Sequence, residues 1–209
     1  MKDYSPEEER LNIYSHALGF ILSIVAAVFL LIKSFEDFSF WSTISVLIYS
    51  LSMLVLYAAS TLYHSAKEKT KRLRLKVFDH AAIYVLIAGT YTPFSLITLK
   101  GEVGWIIFGV IWGLAAIGIT FKLFFTGRFK IVSTIMYVLM GWVIIFAINP
   151  LIENLSTAGL YWLFGGGVAY TLGAILYSIK KIKFNHAIFH VCVLIGSFCH
   201  FYAVLNHVL

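Results

Sequence analysis

Seven apolar runs, separated by short polar segments, account for almost the whole chain. They cover residues 12–32, 40–63, 78–99, 104–125, 131–148, 158–179 and 186–209. A helix needs about 20 predominantly apolar residues to cross the hydrocarbon core of a bilayer, and each run is close to that length. Within the runs the apolar residues are continuous. A membrane barrel instead alternates lipid-facing and lumen-facing residues over segments of about ten, so barrel strands fit poorly. The pattern predicts an all-α integral membrane protein, a seven-transmembrane helix bundle forming a single domain over residues 1–209. Pro93 is expected to kink the third span and Pro150 to end the fifth, because proline lacks the backbone N–H that a helix interior uses. Gly159, Gly165, Gly166, Gly167 and Gly173 suggest that the sixth helix approaches its neighbours closely. No internal repeat, low-complexity tract or linker interrupts the series.

Composition supports lipid as the solvent. Hydrophobic residues make up 60% and charged residues 12% of the chain, whereas a soluble domain carries about a quarter charged residues. The first residues are mixed and acidic, unlike the basic start of a secretory signal, so the first run is read as an uncleaved span. Charge placement predicts orientation. One side collects Lys2, Arg10, Lys67, Lys69, Lys71, Arg72, Arg74, Lys76, Lys122, Arg128, Lys130, Lys180, Lys181 and Lys183, and the other only Lys33 and Lys100. The basic side is therefore expected to be cytoplasmic, with the N-terminus inside, the C-terminus outside and the protein multi-pass in the cell membrane, the bacterial plasma membrane being the expected one. The basic run at 67–76 serves either as that topology signal or as a contact for anionic lipids. No basic, aromatic-interleaved patch points to nucleic acid, and the expected partners are membrane lipids. Cys192 and Cys199 share one apolar segment, where a single helix keeps them too far apart for a bridge. Nothing in the pattern indicates an oligomeric state.

Ionisable residues within membrane spans are costly and mark functional sites by default. His64 closes the second span, Asp79 opens the third, and His186 and His190 open the seventh. Alternating topology brings all four to one end of the bundle. His186 and His190 are four residues apart and share a helix face, a natural two-imidazole clamp. Ser60 stands four residues before His64, where its hydroxyl could orient or polarise a substrate. Three imidazoles with one position left open suit catalytic zinc. Asp79 would bind the ion directly or hold a water against it. Glu9, Asn12 and His16 form a polar stripe on the first helix, either a helix terminus with an interfacial histidine or a network supporting the metal site. His80 points about 100° away from Asp79 and is read as support around the site. His200 lies about 15 Å deeper than His190, too far to join the same ion, and is read as a buried, hydrogen-bonded histidine. His207 falls near the opposite end.

The ordered pattern of Glu9, Asn12, Ser15 and His16, then Ser60 and His64, then Phe78, Asp79 and His80, then His186 and His190 resembles the progestin and adipoQ receptor family. The short chain is most similar to its bacterial hemolysin III type. Residues 186–202 are especially similar to the last helix of the adiponectin receptors. The resemblance implies seven helices with the N-terminus inside. It also implies zinc (Zn2+) held by His64, His186 and His190, with Asp79 holding the water and Ser60 beside it. It implies ceramide-like or other acyl-lipid substrates as well. Three functions follow as expectations. The first is a zinc-dependent hydrolase of lipid amide or ester bonds, concerned with membrane lipid homeostasis, with Asp79 as general base. The second is a non-enzymatic homeostasis or signalling protein with structural zinc. The third is a pore-forming cytolysin, for which no span carries the charged stripe that would line a channel.

Overall fold

The structure is a computed structural model that describes residues 4–36, 39–125 and 129–209, apart from the side chain of Lys130. Lys2 and Arg128, counted above for orientation, lie outside the described residues. Seven helices are long and apolar enough to cross a membrane: α1 (Pro6–Glu36), α2 (Phe40–Ser65), α3 (Lys69–Leu99), α4 (Gly101–Phe125), α5 (Ile131–Asn154), α6 (Thr157–Ser178) and α7 (Asn185–Val208). Among the described residues there is no strand.

The ends follow ordinary capping chemistry. Ser39 accepts a hydrogen bond from the Ser42 N–H at the start of α2, Glu68 from Thr70 at α3, and Ser156 from Gly159 at α6, each satisfying a first-turn donor that lacks a helical acceptor. Glu7, Glu8 and Glu9 occupy the first turn of α1, where negative charge is favoured. α3 begins well before the apolar run at 78, because its first turns are basic and project beyond the span.

The two prolines behave differently. α3 is α-helical through Pro93, which has no N–H to give the preceding turn, and widens to a π-helical turn at Phe94–Leu99 directly after it. Pro150 does not end the fifth span, contrary to expectation. The irregularity comes earlier, at Trp142 and the 3-10 turn Val143–Ala147, and a new helical segment, Ile148–Asn154, carries Pro150 in its first turn. First-turn N–H groups have no intrahelical acceptor, so proline costs little there.

The bundle is built around α3, whose most apolar stretch is 72% buried, against 22–50% in the other spans. The fully buried side chains include Tyr49, Met53 and Tyr57 of α2, Tyr84 of α3, Ile111 of α4 and Leu151 of α5. Large apolar side chains such as Phe124, Phe146 and Tyr161 point outward, as lipid allows. α6 and α7 meet through the small residues expected. A methyl group on Gly173 would come within 2.7 Å of Cys192 Cβ, and one on Gly166 would collide with the His200 ring, whereas Gly165 faces open space. Both cysteines are free.

Candidate metal centre

The N-terminus of α1, the C-terminus of α2, the start of α3 and the N-terminus of α7 gather at one end of the bundle. There His64, His186 and His190, all buried, offer ring nitrogens that lie within 4.8 Å of one another, an arrangement that could hold a metal ion. His64 Nε2 and His186 Nε2 are 3.1 Å apart.

The nitrogens facing away explain the convergence. His64 Nδ1–H donates to Glu9 Oε2 at 2.7 Å, and the Asn12 amide lies 3.5 Å from the same nitrogen. His190 Nδ1–H donates to the Asn12 carbonyl at 3.3 Å, with Ser15 Oγ equally near. A histidine whose Nδ1 carries the proton presents a bare Nε2, and such outer hydrogen bonds are the usual companions of metal-ligating imidazoles. His186 Nδ1 is buried with no hydrogen-bond partner. The donor set is thus three buried imidazoles whose nitrogens converge, which fits zinc or another borderline divalent ion.

The supporting groups come from several helices. His16 of α1 lies flat on His190, with ring centres 3.5 Å apart and planes at 11°, and both its nitrogens are buried without partners. Glu9 is also held by the Arg72 guanidinium of α3. Arg72 Nη1 further donates to the carbonyls of Tyr63, His64 and Ala66 at 3.3–3.4 Å, closing the end of α2. Glu8 Oε1 accepts the His186 backbone N–H at 3.3 Å, and the Asn185 amide donates to the Tyr177 carbonyl at 2.7 Å, so both ends of the α6–α7 connection are tied. Tyr4 stacks on His186 at 4.9 Å and 19°. Burial, followed by the Tyr177 and Tyr63 hydroxyls, raises its phenol above the ordinary pKa, keeping it neutral.

Asp79 is buried but its carboxylate does not join the mutual cluster of the three histidines. It lies with His186 and His190 on the wall of an apolar cavity that continues past Ile83, Phe189 and Val193 to His200. His80 lines the same cavity, donates from Nδ1 to the Lys76 carbonyl at 2.8 Å and lies 3.4 Å from Asp79 Oδ2. Ser60 is fully buried with its hydroxyl unpartnered, and it does not line that cavity. His200 donates from Nε2 to the Leu163 carbonyl at 3.0 Å, the hydrogen-bonded role expected of it. His207 pairs with Ser156 at 2.8 Å at the far end.

Sequence reasoning missed Arg72, Glu8, Tyr4 and Lys122 as parts of this region. Arg72 and Lys122 were counted only as topology charges. Their inward turn is a tertiary fact, although Arg72 stands two turns before Asp79 on the same helix.

Comparisons with known proteins cover almost the whole chain. A family profile described as haemolysin-III related matches residues 4–201. The chain is 48% identical over 202 residues to the hemolysin-3 homolog of Bacillus subtilis (strain 168), covering 97% of this chain and 95% of that protein. It is 46% identical over 203 residues to hemolysin-3 of Bacillus cereus, covering 97% and 93%. A more distant relative is progestin and adipoQ receptor-like protein 1 of Caenorhabditis elegans, 23% identical over 229 residues, covering 96% of this chain and 52% of that protein.

Proposed function

The chain belongs to the haemolysin-III related family, and on that premise we propose that it is a zinc-dependent hydrolase of lipid amide or ester bonds. The observation that carries this reading is the cluster of three buried imidazoles, two of which line an apolar cavity together with the Asp79 carboxylate.

His64, His186 and His190 would hold the ion. Zinc so held supplies a Lewis acid and brings the pKa of water toward 7. Asp79, outside the ligand cluster but lining the same cavity as His186 and His190, would act as the base that takes a proton from water. Glu9, Asn12 and Ser15 keep the Nδ1 atoms of His64 and His190 occupied, so each ring turns Nε2 to the site. Ser60, one turn from His64 with its hydroxyl unpaired, lies outside the cavity lining and is given no contact with the substrate. The apolar walls hold the acyl chain and exclude bulk water, which strengthens charge interactions inside. The basic end of the bundle is assigned to the cytoplasm.

A second reading rests on a different observation: the contacts around the histidines join α1, α2, α3 and α7, so a metal there would also clamp the bundle. Two measurements separate these readings. Metal analysis of purified protein is expected to give one zinc per chain, absent in His186→Ala. Asp79→Asn is expected to keep the metal and lose hydrolysis of an acyl amide or ester. Undiminished turnover in Asp79→Asn sinks the hydrolase. Zinc that raises thermal stability without supporting any turnover establishes the clamp.

A further inference from the structure

Lys122 lies in the last turn of α4, close enough to the end of its span for a lysine to extend its ammonium to the water interface. It turns inward instead and is 1% exposed. Its ammonium donates to Ser133 Oγ of α5 and sits 5.8 Å from the centre of the Tyr137 ring. Tyr137 in turn donates to the His80 carbonyl at 2.9 Å. Lys122, Ser133 and Tyr137 line the same cavity as Asp79, His186 and His190. A lysine on the lining of a largely apolar cavity discriminates among ligands that differ in charge at the polar end.

We propose that Lys122 anchors an anionic group, a carboxylate or a phosphate, on the lipid that occupies this cavity, so that the site selects anionic acyl lipids over neutral ones. Ser133 and Tyr137 hold the ammonium in place beneath that group. The proposal deepens the functional reading above and rests on it only for the statement that the cavity receives an acyl chain; it requires no turnover. Asp79 shares the cavity, and the opposing view is that Lys122 merely balances its charge.

The test is equilibrium binding to the metal-loaded protein in discs of phosphatidylcholine. The probes are a long-chain fatty acid, its methyl ester and the alkyl phosphate of the same chain. Wild type is expected to prefer an anionic probe to the ester by about tenfold to a hundredfold, the range of one charge-assisted hydrogen bond. The stronger of the two anions identifies the headgroup chemistry. Lys122→Met is expected to abolish the preference while leaving ester affinity unchanged, and Lys122→Arg to retain it. If wild type binds acid, phosphate and ester equally, Lys122 is only a charge balance and the proposal is overturned, whatever the variants do. A preference that survives in Lys122→Met places the anion elsewhere, at the histidine cluster, with the same consequence. If no probe binds, the cavity is not an acyl site and both this inference and the reading beneath it fall. Equal binding of all three leaves that reading standing.

Discussion

An imidazole gives one nitrogen to a metal, and the hydrogen bond made by the other decides which. His64 is set by the Glu9 carboxylate and His190 by a backbone carbonyl of α1. Removing the Glu9 charge should therefore weaken the site without removing a ligand. Glu9→Gln is expected to lower zinc affinity about 10- to 100-fold, read by competition with a chromophoric chelator, and unchanged affinity would refute the orienting role. Arg72 bears on stability more than on metal. It binds Glu9 and three carbonyls at the end of α2 at once, which only a planar fork of donors can do. Arg72→Met should cost about 2–3 kcal/mol, less than for a fully dry pair because both partners keep some solvent. Arg72→Lys should recover little of it, as thermal unfolding in detergent would show. The histidines and Asp79 could be read from the sequence because charge-bearing groups inside a span need a reason. Arg72 could not, since a basic residue at a span end already has one in the orientation of the chain.

Helices bring those atoms together, and their packing has its own tests. α6 touches α7 through Gly166 and Gly173, while Gly165 one position away meets nothing. Gly166→Ala must displace the His200 ring or separate the helices, at a cost of about 1–3 kcal/mol for overpacking. Gly165→Ala adds helix propensity without a clash and is expected to be neutral or stabilising by up to about 1 kcal/mol. A drop in the thermal midpoint for the first substitution and not the second checks the register of the pair; equal effects would disprove it. The glycine cluster was visible as a sign of close packing, but which member makes the contact depends on how α6 is rotated. Pro150 shows the same limit. Its chemistry forbids an interior N–H bond, yet the chain had already broken its helix at Trp142, leaving the proline in a harmless first turn.

For the whole molecule, the uneven distribution of lysine and arginine predicts that the histidine end faces the cytoplasm. Cysteines placed at Lys181 and at Asn154 test it. In intact cells only Asn154→Cys is expected to react with a membrane-impermeant maleimide, with Lys181→Cys reacting after permeabilisation, and the reverse pattern would invert the topology. The native thiols are half-buried or buried and should contribute little background. What the sequence determined by itself was the number of spans, their order and the depth of each polar group, because hydrocarbon imposes a minimum helix length and makes every buried charge conspicuous. What only the tertiary structure decided was azimuth: which side of each helix faces inward, that three imidazoles meet while Asp79 stands apart, and that Lys122 lines the cavity instead of reaching for water. Depth is a one-dimensional property that a linear pattern can encode. Rotation about the helix axis is set by the simultaneous fit of all seven helices, and no single segment carries it.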